Sequence, residues 1–457
     1  MNSSESRTTA SLALLFAIRM LGLFILLPVL TVLGSDLEGA TPALLGFAIG
    51  VYGLTQAFLQ IPFGALSDKY GRKPFIIFGL TLFVLGSLVA AVSDSIWGVI
   101  LGRALQGSGA IGGVITALVS DVTRPQVRTK AMAMIGASIG SAFLIALIIS
   151  PILGSIIGLH GLFVCIAGLG LIGLAIGLMT LPGSVMPSVD PDYTRSHSIS
   201  QQLINAVKHP QLFRLFLGVL LLHLLQTTLF VAMPQLLVIT HQFPIGEHWK
   251  LYLPVMLLSF IFIIPLIVLG EKRGGTRNIM LGMIVTMLVS CLIMLTQLTS
   301  FSWLAVGLFL FFAGFNALEA MMPSLVSKIA PAGQRGVCMS SYSTFQFFGA
   351  FLGGSLGGIM YSRFDFNGVL LLDVLVLGAW LLLTLGLSAP ADIKAMTIST
   401  HEMEADKSKL AKLLLSLPGV REVFISETED VAHIKVDKKI FDNAFLEDLR
   451  LFRAAEQ

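Results

Sequence analysis

The sequence predicts an all-α membrane protein of twelve transmembrane helices in two six-helix bundles, followed by a small α+β domain of ferredoxin-like type. Three observations carry that expectation. Of the 457 residues, 55% are apolar and only 12% are charged, about half the charged share of an average soluble protein. The charges are also unevenly spread, with 32 in residues 1–390 and 23 in the last 67. Finally, apolar runs of about 20 residues, enough to cross a hydrocarbon core of about 30 Å as helix, recur twelve times before residue 390.

Taken in order, the spans are predicted over residues 12–33, 43–66, 74–94, 96–121, 129–153, 159–181, 212–237, 250–270, 277–298, 301–326, 336–360 and 366–388. The first is long enough to span and is followed at once by another, so it is expected to be retained rather than cleaved as a signal. Between the sixth and seventh, residues 182–211 hold Pro182, Pro187 and Pro191 and then the mildly amphipathic stretch Ile199–Val207. This reads as a linker. The expected domains are therefore an N-terminal bundle (1–181), a cytoplasmic linker (182–211), a C-terminal bundle (212–390) and a cytoplasmic domain (391–457).

Orientation follows from the basic residues, which cytoplasmic loops retain. Fifteen fall on one side of the predicted spans, and only Lys250 and Arg363 fall on the other. Both termini are expected in the cytoplasm, with the chain multi-pass in the cell (inner) membrane and the lipid bilayer as its solvent. The halves also repeat at an offset of 206, pairing Gly64 with Gly270, Trp97 with Trp303 and Pro125 with Pro331. Such repetition points to a transporter with a path between two related bundles.

The tail reads as β-α-β-β-α. Met396–Ser399 forms a short strand, Asp406–Leu417 a helix, Glu422–Ser426 and Val431–Val436 strands, and Phe441–Phe452 a closing helix with Phe441, Phe445, Leu449 and Phe452 aligned. It contains no cysteine, so no metal site is expected, and His401, Met403 and His433 read as surface residues. Cys165, Cys291 and Cys338 are isolated, the first two in apolar runs, and imply packing rather than disulfides. A net charge of +3 without a basic stripe argues against nucleic acid. No catalytic constellation and no phosphate-binding loop stand out, so the chain is read as a non-enzyme without cofactors.

Between the second and third spans stands Gly64-Ala-Leu-Ser-Asp68-Lys-Tyr-Gly71-Arg72-Lys73-Pro74. Gly64 and Gly71 suit close helix approach and a tight turn, Asp68 and Arg72 lie one helical turn apart, and Asp121 is placed to pair with Arg72. This loop resembles the signature G-x-x-x-D-x-x-G-R-[RK] of the major facilitator superfamily. A second element, Arg103-Ala-Leu-Gln106-Gly107-Ser-Gly109-Ala in the fourth span, resembles that superfamily's R-x-x-Q-G-x-G-A. A third, Ser150-Pro151-Ile-Leu-Gly154-Ser155 in the fifth span, keeps Pro151 and Gly154 of the antiporter pattern G-P-x-x-G-G but has serine at its other two glycines. The runs Arg19–Leu30, Ile49–Gln56 and Asn316–Glu319 look like YajR-type transporters, which also end in a small cytoplasmic domain.

The resemblance implies alternating access, with the first, fourth, seventh and tenth spans lining a central cavity. In this sequence those spans carry Arg19, Arg103, His223, and Asn316 with Glu319. Charge inside a membrane is costly and reads as functional by default. Arg19 and Glu319 lie at similar depth and could pair, as a coupling element or as a structural salt bridge between the halves. Asp373 and the glycines Gly349, Gly353, Gly354, Gly357 and Gly358 read as structural and close-packing positions. The expected function is proton-driven efflux, an antiport of small organic molecules. Facilitated or proton-symport uptake, or a sensor signalling to a cytoplasmic partner through the tail, are the alternatives.

Overall fold

The computed structural model describes residues 3–182, 199–273, 276–331, 334–387, 393–399, 407–425, 431–437 and 440–442. The proline-bearing stretch 183–198, the connection 388–392, His401, Met403 and the expected helix beyond residue 442 lie outside the described residues. In chain order the first half holds α1 (Ser3–Phe24), α2 (Leu30–Leu33), α3 (Pro42–Tyr70), α4 (Arg72–Ala91), α5 (Ile96–Ser108), α6 (Gly112–Val122) and α7 (Pro125–Thr180). The second holds α8 (Ile199–Lys208), α9 (Pro210–Ile239), α10 (Trp249–Arg273), α11 (Thr276–Thr296), α12 (Phe301–Ile329) and α13 (Arg335–Leu385).

Among the described residues nine helices are long and apolar enough to cross a bilayer. Their starts follow local chemistry. Thr41 caps α3 by accepting from the Leu44 amide at 3.2 Å, with Pro42 at the first helical position. Ser95 caps α5 from the Trp97 amide at 3.3 Å. The two longest helices are broken inside: α7 at Gly158, with φ +65°, and α13 at Asp365, with φ +54°. The first is a backbone region that glycine enters without penalty, while an aspartate there is strained.

The first predicted span is itself interrupted between α1 and α2, where Pro28 cannot donate a helical hydrogen bond. There the Ile25 carbonyl accepts from the Ser150 hydroxyl of α7. Ser150 stands where the antiporter pattern has glycine. Its hydroxyl does what a glycine could not, satisfying a backbone group freed by the break in a setting without water.

The halves meet along one end of α3 and α13. A Cβ on Gly354 would lie 2.5 Å from the Gly46 carbonyl, and one on Gly50 would lie 2.7 Å from the Phe351 carbonyl. The opposite face of α13 presents Gly349 and Gly353 to the backbone of α9 at Leu220 and Leu224. Small residues thus let three backbones approach, the main route to helix association where lipid removes the hydrophobic drive. Further contacts at this end join Phe143 to Phe230, ring centroids 6.1 Å apart, and the Gln235 amide to the Thr31 carbonyl at 2.5 Å. Toward the other end the close glycine contacts stop. A Cβ on Gly64 or Gly336 would meet nothing within 4 Å.

The tail forms β1 (Ile393–Ser399), α14 (Lys407–Ser416), β2 (Val420–Ile425) and β3 (Val431–Asp437). The sheet is antiparallel in the order β1-β3-β2, with Ile398 opposite Ala432 and Val423 opposite Ile434. Ile398, Leu410, Leu414, Ala432, Ile434 and Val436 form its core. The first strand begins three residues earlier than the sequence suggests, because its pairing with β3 continues to Asp437. Lys435 donates to the Ile329 carbonyl at 3.4 Å, a cation on the last turn of α12.

Between α9 and α10, His248 is fully buried, stacked on Phe243 and bonded through Nε2 to the Phe243 carbonyl at 3.1 Å. Burial pushes its imidazole from 6.5 down to about 4, against the pull of that carbonyl. The folded chain therefore favours neutral His248. Its contribution to stability is whole above about pH 6.5 and is lost as pH falls toward about 4. Thermal unfolding in detergent from pH 4 to pH 8 should show a smaller acid loss in His248→Gln than in the wild type. Equal pH dependence would remove His248 from that loss.

Packing predicts a second outcome. Leucine at Gly354 has no room against the Gly46 carbonyl, and overpacking of this kind costs about 1–3 kcal/mol. Gly354→Leu should lower the thermal unfolding midpoint in detergent and the temperature at which the chain aggregates. Unchanged values would show that the contact is not needed.

Candidate functional site

The loop between α3 and α4 is a single residue, Gly71, at φ +95°. That turn brings Arg72 back over the end of α3, where its guanidinium pairs with Asp68 and donates to the Ser67 hydroxyl at 2.8 Å. Its Nε donates to Asp121 of α6 at 2.9 Å. Arg72 is 7% exposed and Asp121 12%, so the pairing expected from sequence is present and largely shielded. Lys73 next to it caps the end of α7, donating to the Leu178 and Leu181 carbonyls at 2.9 and 2.8 Å. Arg124, at the start of α7, clasps Glu5 of α1 at 2.8 Å. The whole end of the first half is thus cross-linked by charge. Gly64 is not a close-approach position here, since a Cβ on it would meet nothing within 4 Å.

Deeper in the same half, Arg19 of α1 and Arg103 of α5 are both wholly buried. They share one aromatic ring, with their guanidinium carbons 5.9 and 4.8 Å from the Tyr52 centroid. Arg19 donates to the Gln56 side chain, one turn along α3 from Tyr52. Arg103 donates to the Ala48 carbonyl at 3.3 Å and to Gln106 at 2.8 Å. Gln106 passes the chain on to Ser87 of α4 at 2.8 Å, and Ser87 to the Phe83 carbonyl at 2.6 Å. Gly107 makes this possible, since any Cβ there would strike the Tyr52 carbonyl of α3.

The second half holds the carboxylates. Glu319 of α12 accepts from Gln346 of α13 at 3.3 Å and stands 3.8 Å from Nε2 of His223 in α9. Gln346 also meets that nitrogen at 2.8 Å. Glu319 is 35% exposed and His223 12%, and the Glu319 Oε2 that faces the imidazole is buried without a hydrogen-bond partner. Asn316, one turn before Glu319, donates to Ser259 of α10 at 2.9 Å. Asp373 is wholly buried and accepts from Thr228 at 2.7 Å.

Arg19 and Glu319 are not brought together. Equal depth in two helices fixes height and leaves azimuth free, and α1 turns Arg19 toward α3 of its own half. In place of the bridge that equal depth allowed there are two clusters, one in each half. Pro151 and Gly154 do sit together at the crossing with α2, where a Cβ on Gly154 would meet Leu33 at 2.9 Å. Sequence reasoning missed Tyr52, Gln56, Ser87 and Gln346 as cluster members. Three are polar side chains inside apolar spans, and Tyr52 and Gln56 share a helix face at a spacing of four, a signal that was there to read.

Two segments of the chain, residues 12–354 and 249–424, match the family model described as Major Facilitator Superfamily. The chain belongs to the major facilitator superfamily. Its relatives within it include the inner membrane transport protein YajR of Escherichia coli K12, 42% identical over 440 residues and covering 96% of both chains. The multidrug resistance protein MdtH of Yersinia pestis (strain Pestoides F) is 26% identical over 366 residues, covering 78% of this chain and 86% of MdtH. The solved D-xylose-proton symporter shares the fold, with a TM-score of 0.65 at 14% identity, covering 85% of this chain and 99% of the symporter. The protein is thus a multi-pass membrane transporter of the superfamily, not an enzyme.

The charge cluster at Arg72 yields a prediction. In Asp121→Asn the shielded guanidinium keeps Asp68 but loses its second anion, a loss of about 1–3 kcal/mol. A lower unfolding midpoint in detergent with normal membrane insertion is the expected outcome. A midpoint equal to wild type would make the pair dispensable.

Proposed function

We propose that this transporter is a proton-driven exporter of small organic molecules, working by alternating access, with Glu319 and His223 as the proton-handling pair. The observation that carries the reading is their approach at 3.8 Å within helices that the chain embeds in a membrane, with Glu319 35% exposed. Protonating Glu319 weakens its hold on Gln346 of α13, the helix that packs on both α3 and α9. A local change of charge is thereby tied to the helix on which the two halves close.

The same reading takes α7 and α13 to cross twice each, at the breaks at Gly158 and Asp365, and α10 once. Twelve crossings result, with the Arg72 end in the cytoplasm of the inner membrane and the halves parted there. Asp68, Arg72 and Asp121 would then act as the switch that exchanges partners when that end closes. The tail, with the strand order of the first three strands of a ferredoxin-like sheet, would be the module through which a cytoplasmic partner acts.

A second reading, proton symport of an anion, draws on the segregation of charge. The buried mid-helix cations Arg19 and Arg103 lie in the first half, and the carboxylates Glu319 and Asp373 in the second. An anion bound near the arginines would make protonation elsewhere in the site easier, favouring joint rather than alternating loading.

Vesicles carrying the purified protein decide between these readings. With a panel of fluorescent organic anions and cations, an imposed pH gradient should accelerate flux in the wild type. The direction of coupled flux separates export from uptake. Glu319→Gln should retain exchange at equal concentrations and lose the acceleration. Accumulation driven by the gradient in that variant would remove Glu319 from coupling.

A further inference from the structure

The first half contains a charge imbalance that its own residues leave open. Arg19 and Arg103 are wholly buried, and their described acceptors are two side-chain amides and one backbone carbonyl. No carboxylate pairs with either among the described residues. Nε and Nη1 of Arg19 and Nη2 of Arg103 are buried without any hydrogen-bond partner, and so is the Tyr52 hydroxyl between them. A guanidinium keeps its charge in any protein environment, so it cannot escape the cost of burial by losing a proton. Two such groups on one ring repel each other in a low dielectric, and the ring face offsets only part of the cost.

From this geometry we infer that the Arg19–Tyr52–Arg103 cluster binds the anionic group, a carboxylate or phosphate, of the transported molecule. The inference rests on the transport reading above but not on its direction. Guanidinium groups are the preferred partners of both oxyanions, and the free donors come from two helices, α1 and α5, with the Tyr52 hydroxyl from a third. The cluster is placed where binding can be felt by the rest of the molecule. Tyr52 precedes Gly53, whose Cβ would lie 2.5 Å from the Phe347 carbonyl of α13. Phe347 in turn follows Gln346, the partner of Glu319. An anion that draws Arg19 and Arg103 together thus pulls on the contact between the halves one residue away from the carboxylate cluster.

The arrangement also has a shape. Gln56 and Gln106 each hold one arginine through a side-chain oxygen, leaving the remaining donors unspent. A structural salt bridge would have spent them on an acidic residue. The mid-helix acids lie elsewhere: Asp373 accepts from Thr228, and Glu319 meets Gln346 and His223. The missing anion is therefore supplied from outside the described chain.

The test uses the full chain in neutral detergent, with benzoate and phenyl phosphate as anionic probes and benzamide and benzylammonium as controls of similar size. At 10 mM and constant ionic strength, at least one anion should raise the unfolding midpoint by on the order of 2 °C or more, and neither control should. The two anions also tell carboxylate from phosphate recognition. Arg19→Gln and Arg103→Gln should each abolish the anion-dependent rise, whereas Glu319→Gln should keep it. Arg19→Lys and Arg103→Lys, which retain charge and favour folding, should at least halve it. An equal rise with benzamide, no rise with either anion, or a rise undiminished in both lysine variants would each overturn the inference. The benzoate and benzamide comparison is read on the wild type alone, so it does not depend on any variant folding. Anion binding without gradient-driven flux would sink the coupling reading and leave this site standing.

Discussion

Charge carried into a bilayer has to find its partner inside the protein, because no water is there to supply one. Much of this molecule follows from how that demand is met. At the Arg72 end it is met fully, by Asp68, Asp121 and Ser67. In the first half it is met in part, by amides, a carbonyl and the Tyr52 ring. In the second half Glu319 is met by neutral and titratable neighbours rather than by a fixed cation. Where pairing is complete the structure is clamped, and where it is incomplete buried donors stay without a partner.

The glycines make these arrangements geometrically possible. A charged side chain reaches a neighbouring backbone only if the helices lie close, and α3, α5, α9 and α13 do so through glycine at the points of contact. Gly107 lets α5 rest on Tyr52, and Gly53 lets the next residue rest on α13. The same tight seam is confined to one end, while Gly64 and Gly336 face open space at the other. A transporter needs this asymmetry, since two halves that touched along their whole length could not part at either side. Interruption serves the same end. The break after α1 places Ile25 where Ser150 can bond it, and α7 and α13 are broken at Gly158 and Asp365.

The sequence by itself determined the membrane class and the small tail, because hydropathy and turn residues act locally and survive without tertiary contacts. It also determined the Asp68–Arg72–Asp121 pairing, since a one-residue turn at Gly71 leaves Arg72 little freedom. The three-stranded tail was legible from alternation, although the length of β1 was set by its partner strand. Helix rotation decided the rest. Periodicity places Arg19 and Glu319 at comparable depth, but only the packed bundle shows that α1 aims Arg19 at Gln56 and Tyr52, and that Glu319 meets Gln346 and His223. Which polar groups stay unpaired is likewise a property of three helices together, so the open donors of Arg19 and Arg103 belong to the tertiary structure alone.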